Sequence, residues 1–286
     1  MNRFQRSFRL LSESLAIVRS DRSLLVFPVL SAIFTAIAVA VILVPAAAMS
    51  LVARNDGRPH AGLPIIIGLL VAGYAATAVA TYFNVALISC AAKTFHNESA
   101  GVGDGLRAAN RRIGAILVWA LIASLVGTVL RAVEQRAGLI GSIIASLLGA
   151  AWTIATYFVV PVLAFEQVGP GDAIRRSVDD IRRSWGESLI GNAGLGLVGF
   201  FCAVPIFVAG FAGARLVTTD PAAGVVILIV AGALLVALLV VGSALSQVYK
   251  TAVYLYASTG EVVGYSPDLV EGAFREKRSL RRRFFG

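Results

Sequence analysis

Chemistry-bearing residues are scarce in this chain. Of 286 residues only two are cysteine and two histidine, and charged residues make up 14%, against about a quarter in an ordinary soluble protein. His60 and His96 fall in different connections between long apolar stretches. With the basic connections held on one side of a membrane the two face opposite sides, so they cannot share a zinc ion or one catalytic centre. No cysteine or carboxylate cluster has zinc-ligand spacing either. Cys90 and Cys202 lie at different depths in their stretches and are expected as reduced, buried thiols. No carboxylate falls within the apolar stretches. Ionisable groups in lipid mark ion and proton pathways, so a proton-coupled pump or a channel built on charge rings is disfavoured, while a pore lined by hydroxyls and backbone groups stays open. No cofactor is implied.

What the chain does have is six stretches free of charge: Leu24 to Ala53, Ala61 to Ala92, Ile113 to Leu130, Ala137 to Phe165, Ser188 to Ala214 and Pro221 to Tyr249. About 20 apolar residues in a helix cross a hydrocarbon core of roughly 30 Å, and a helix satisfies its own backbone polar groups there. The expected fold is therefore all-α, a six-helix transmembrane bundle of three hairpins. Of 25 Lys and Arg residues, 20 lie in the N-terminal arm, the two loops 93–112 and 166–187, and the tail from Lys250. Basic residues stay on the cytoplasmic side of short loops, so both termini are expected inside a prokaryotic plasma membrane. Three segments follow: a cytoplasmic amphipathic arm, 1–23; the transmembrane domain, 24–257; and a basic cytoplasmic tail, 258–286.

The first apolar run is not expected to be a cleaved signal peptide. Leu24 to Val44 is longer than a secretory core of roughly 7 to 15 residues, and a 23-residue arm with five arginines precedes it. In the arm Phe4, Phe8, Leu11, Leu15 and Val18 recur at helical steps, which predicts an interfacial helix. The cytoplasmic loops contain an echo, Gly101 to Arg107 against Gly169 to Arg175. Each begins a basic amphipathic stretch in which Asp104 or Asp172 is placed to cap a surface helix beside anionic lipid phosphates.

Small residues recur at four-residue steps, Gly68, Ala72, Ala76 and Ala80 in the second run and Gly141, Ala145, Gly149 and Thr153 in the fourth. Such stripes let helices approach closely within one subunit, with hydroxyls such as Thr77, Thr81, Ser142 and Ser146 extending the same faces. Gly194, Gly196 and Gly199 match the dinucleotide fingerprint in spacing. They lie inside an apolar run, without the strand-to-helix turn that would aim amide groups at a pyrophosphate.

Towards the inner side lies a band of uncharged polar residues, Asn84, Tyr157, Asn192, Ser246 and Gln247, with Lys250 at its margin. Counting 1.5 Å per residue from Lys93, Glu166 and Glu187 puts the first three about 8 to 14 Å inside their helix ends. A headgroup cavity open to the inner leaflet and plain interhelical hydrogen bonding both fit that band. Glu166, Asp172, Asp179 and Asp180 share a loop with four arginines, so ion pairing is expected there rather than cation binding. Six basic residues between Arg275 and Arg283, interleaved with Leu280, Phe284 and Phe285, suit an anionic lipid surface. Nucleic acid is not expected.

Tyr82 to Leu87, Trp119 to Ile122 with Gly127 and Arg131, Val160 to Glu166 with Ser177, Trp185 to Glu187, and Tyr254 to Ala257 with Gly260 and Phe274 resemble an uncharacterised family of six-pass prokaryotic membrane proteins. More remotely the layout resembles the membrane domain that accompanies some bacterial glycerophosphodiester phosphodiesterases, without their catalytic barrel. The resemblance implies a shared pattern at the inner face that includes Asn84, Pro161, Glu166, Trp185 and Glu187. The candidate inner-leaflet polar site thus comprises Asn84, Tyr157, Glu166, Glu187, Asn192, Gln247 and Lys250. The expected function is that of a non-enzymatic accessory subunit or lipid-interacting factor, with membrane lipids and a membrane-protein partner as its contacts; a transporter of lipids or small solutes is the alternative. Only Glu166 and Glu187 would be available for catalysis at the interface.

Overall fold

The computed structural model describes residues 15–19, 21, 23–56, 62–96, 98, 100–136 and 138–259, with backbone alone at 136, 139–140 and 183–195. Among them the fold is all-helical. In chain order the helices are α1 Ser23–Asn55, α2 Leu63–Phe95, α3 Val102–Arg111, α4 Ile113–Arg136, α5 Gly138–Ala155, α6 Val159–Phe165, α7 Pro170–Leu216 and α8 Pro221–Thr259. Among the described residues six spans are long and apolar enough to cross a membrane: Ser23–Asn55, Leu63–Phe95, Ile113–Gln135, Gly141–Phe165, Gly196–Leu216 and Pro221–Thr259. The protein is a multi-pass membrane protein, as its charge-free runs require. The basic tail and most of the arm lie outside the described residues; of the arm, residues 15–19 are helical.

The helices fall into two compact units, one formed by Val26–Cys90 and Ala100–Arg183, the other by Met1–Leu25, Ala91–Ser99 and Ser184–Gly286. In the first unit α1 and α2 pair antiparallel. Ser50 Oγ accepts the Ile65 N–H at 3.0 Å, Gly68 stands against Ala46 so closely that a Cβ would lie 2.6 Å from the Ala46 methyl, and the rings of Phe34 and Phe83 meet at 5.7 Å. The Gly68 and Ala72 stripe is thus packing within the chain, with Ala72 buried. The second stripe is also turned inward, with Gly141 and Ala145 buried and Gly149 facing Leu130 of α4. Hydroxyls along these faces bond within their own helices. Thr77, Thr81, Ser146 and Thr153 each bond the carbonyl four residues earlier at 2.8 Å, satisfying themselves within their own helix rather than bridging to a neighbour.

In the second unit α7 and α8 form a tight hairpin. Gly213 faces Ile227 and the Gly224 carbonyl, and Gly224 faces Val217, so neither position has room for a side chain. Asp220 caps α8 by accepting the Ala223 N–H at 3.1 Å. Also in this unit, Asp21 begins α1, accepting the Ser23 N–H at 2.9 Å and the Thr94 hydroxyl at 3.2 Å. The glycines 194, 196 and 199 lie inside continuous helix α7, as their apolar setting demanded. Both thiols are free, but only Cys90 is buried; Cys202 is exposed on α7, among the exposed rings of Phe200, Phe201 and Phe207, a surface suited to lipid.

The helices are longer than a membrane is thick. At 1.5 Å per residue, the 33 residues of α2 extend ~50 Å and the 39 of α8 ~58 Å, against roughly 30 Å of hydrocarbon. Burial shows where the surplus lies. In α2 the large residues Leu63, Ile66, Ile67, Leu69, Leu70 and Val71 are exposed, whereas Phe83, Val85, Leu87, Ile88 and Cys90 are buried. In α8 the same change separates exposed Val225, Val226, Ile229, Val230, Leu234, Val236 and Leu239 from buried Ala244, Leu245, Val248, Tyr249, Thr251, Ala252 and Tyr254. The exposed halves adjoin the short turns and suit lipid. The buried halves, next to the basic connections, are wrapped by protein.

Candidate functional site

The basic-side layer of the first unit is built by short helices that fold back along the spans. Cys90 Sγ donates to the Gly101 carbonyl at 3.6 Å. A Cβ on Gly105 would lie 2.7 Å from the Ala86 carbonyl oxygen, 2.7 Å from the Phe27 ring and 2.8 Å from Cys90 Sγ. The Tyr82 hydroxyl donates to Asn110 Oδ1 at 2.9 Å. Positions 90, 86 and 82 therefore meet 101, 105 and 110, an antiparallel register in which α3 climbs beside the end of α2. The loop thus forms a short helix, as expected after Gly101, with one face against α2 and the rest of it open. Its buried line is Gly105 and Ala109, small residues suited to close contact with another helix rather than bulky ones suited to acyl chains. Asp104 does close the N-terminus of α3, accepting the Gly101 N–H at 3.2 Å.

The second copy of the loop echo is built alike. On α7 Ala173 and Ser177 are buried, and in the alignment of the echo they stand where Gly105 and Ala109 stand on α3. Here the preceding span is broken. Residues 156–158 form a turn between α5 and α6, and Pro161 is the cause in sequence. Proline has no N–H to offer the carbonyl of Tyr157 four residues back, and its ring crowds that carbonyl in a continuous helix. The Phe158 N–H is met by Ser177 Oγ at 3.0 Å. Glu166, which ends α6, is ion-paired with Arg176, the use expected for that carboxylate.

A hydrocarbon core of roughly 30 Å takes up only part of these long helices. About 20 residues from Leu63 reach Tyr82, about 20 from Gly138 reach Tyr157, and about 20 from Pro221 reach Val241. Two tyrosines fall at that edge, where amphipathic rings are favoured, and the stacked pair Trp119 and Trp152, 6.0 Å apart, lies just inside it. Counted from the turn side the edge falls near Tyr82, and counted from the nearest charge it falls near Lys93. Asn84 on α2 and Gln247 and Lys250 on α8 lie in the protein-wrapped halves of their helices.

The candidate residues divide between the units. Asn84, Tyr157 and Glu166 belong to the first, Gln247 and Lys250 to the second. Asn84 is half-buried, Tyr157 sits in the turn, and Gln247 has a buried side-chain oxygen, Oε1, without a hydrogen-bond partner among the described residues. Glu187 and Asn192 lie on α7, but their side chains lie outside the described residues. Three participants escape the polar-band reading: Tyr82, Asn110 and Arg176. Tyr82 is visible in the sequence only as part of the family resemblance. Asn110 could be reached by noting that it follows Ala109, the last small residue of the echo.

The comparisons with known proteins agree with this architecture at the level of family. No curated protein and no solved structure matches the chain, so the remoter likeness to the phosphodiesterase-associated membrane domain has no counterpart among them. A family model described as a family of unknown function, DUF6159, matches residues 60–264, which takes in everything from α2 to the end of α8, and the chain belongs to that family.

Proposed function

We propose that this protein is a non-enzymatic, lipid-interacting factor of the prokaryotic plasma membrane, whose working parts are the helical segments on the basic, cytoplasmic side. The observation that carries this reading is the burial change along α2 and α8, from lipid-exposed apolar residues to a packed segment beside the basic connections. A protein that only needed to stay in the membrane would gain nothing from extending its spans by ten or more residues in this way. In each unit the packed segment carries polar candidates, and the arginines of α3 and α7 adjoin it along the chain. Anionic headgroups and their electrostatic attraction are strongest at that level.

The test is gentle extraction followed by native mass spectrometry. Retention of anionic phospholipid in defined stoichiometry supports the reading. A companion protein retained without lipid would make it an accessory subunit instead, and a bare chain would end the lipid reading.

A further inference from the structure

We propose that Asn110, Arg111 and Arg112, backed by Tyr82, form a binding site for the phosphate of an anionic phospholipid at the basic-side edge of the membrane. The proposal rests on the lipid-interacting reading above and gives it a location within the described fold.

Depth is the first support. Arg112 directly precedes Ile113, the first residue of α4, while Tyr82 stands about 20 residues along α2 from Leu63. Two helices running in opposite directions thus put this group at the same edge, and the Phe34 to Phe83 ring contact brings α1 to that level too. Lipid phosphates lie just outside this edge.

The second support is the set of donors. By accepting from Tyr82 at 2.9 Å, Asn110 Oδ1 leaves the two N–H groups of Nδ2 for another acceptor. Arg111 is exposed and Arg112 half-exposed, and among the described residues neither guanidinium has a carboxylate within ion-pair distance. Arg107 is tied to Asp104 and Arg176 to Glu166, whereas Arg175 and Arg182 on α7, like Arg111 and Arg112, have no carboxylate partner among the described residues; what sets Arg111 and Arg112 apart is their place beside Asn110 and the exposed apolar start of α4. An unpaired guanidinium fork matches a phosphate with two parallel hydrogen bonds.

The third support selects a lipid over a soluble anion. Immediately beyond the arginines on α4, Ile113, Leu117, Val118 and Leu121 are exposed. They offer an acyl chain an apolar path below the headgroup, whereas free phosphate could use only the donors.

The test uses the full chain in detergent, titrated with phosphatidylglycerol in a phosphatidylcholine background and read by native mass spectrometry. Arg111→Gln with Arg112→Gln is expected to weaken phosphatidylglycerol retention by about 30-fold, the effect of two basic residues near an anionic surface. Asn110→Ala keeps both arginines, and with them the signal for membrane orientation, and is expected to weaken it by roughly fivefold. Inorganic phosphate at matched concentration is expected not to displace the lipid. Wild-type retention in both variants, with unchanged unfolding midpoints, would overturn the site, as would displacement by inorganic phosphate. If retention falls only when the basic residues 275–283 are neutralised, this site is refuted while the lipid reading stands. If the wild type retains none, both fall.

Discussion

The backbone N–H of Phe158 is held by the hydroxyl of Ser177 at 3.0 Å, and neither residue has any exposed surface. One buried side chain from the start of α7 thereby closes the break that Pro161 opens in the fourth span. The geometry explains why the break falls where it does. Residues 158 to 166 and 170 to 177 form two arms of nearly equal length around the connection, ~12 Å and ~10.5 Å at helical rise, so Ser177 arrives level with Phe158.

Ser177→Ala takes away that acceptor without adding bulk. An acceptor lost from a buried N–H costs about 1–3 kcal/mol, and the loss is expected as a lower midpoint in detergent-denaturant unfolding. The next residue on α7 is Val178, which carries no hydroxyl to take over the bond. An unchanged midpoint would show that the Phe158 amide is satisfied in some other way.

Gly105 and Gly103 form a matched pair for testing the close approach of α3 to α2. A Cβ at position 105 meets the Ala86 carbonyl oxygen at 2.7 Å, and a backbone atom cannot swing aside, whereas a Cβ at 103 meets nothing within 4 Å. Gly105→Ala is expected to destabilise by about 1–3 kcal/mol. Gly103→Ala, also helical, is expected to be neutral or to stabilise by up to ~1 kcal/mol. Equal effects in the same unfolding assay would contradict the register.

Which helices exist was legible in the sequence, because lipid rejects charge and the charge-free runs map onto the six spans. Where the lipid ends was not. Val85 is fully buried by protein and Ile67 is exposed, yet both environments select the same kind of residue, so an uncharged run continues across the edge without a mark. The break at 156–158 had its cause in Pro161, while its closure by Ser177 depends on an antiparallel register that no local pattern carries. The candidate site shares that ambiguity: counted from Lys93, Asn84 lies about 14 Å inside its helix end, and counted from Leu63 it lies just past a span of about 20 residues.

Glu166→Gln separates a structural from a chemical use of the one carboxylate that ends α6. Its pair with Arg176 is partly solvent-exposed, with Arg176 54% and Glu166 22% accessible, and such pairs contribute at most about 1 kcal/mol. The substitution is expected to shift the unfolding midpoint by less than that and to leave lipid retention unchanged. A large loss of lipid retention at unchanged stability would instead move the site from α3 to α6.

The position of the membrane edge has its own test, since measuring from the turn side and measuring from the nearest charge give different answers for the same residue. Ser89 lies 26 residues along α2 from Leu63, beyond the edge at about 20 residues yet within the charge-free run that ends before Lys93. With both native cysteines replaced by alanine, Ser89→Cys is expected to react with a membrane-impermeant maleimide applied from the basic side, slowly because the position is half-buried. Leu70→Cys, exposed on the same helix but only seven residues from Leu63, is expected not to react until the membrane is dissolved. Protection of both positions would return the edge to Lys93, put Asn84 back into lipid, and remove the physical basis for a water-accessible layer; reaction at Ser89 alone fixes the overshoot of α2 by direct chemistry.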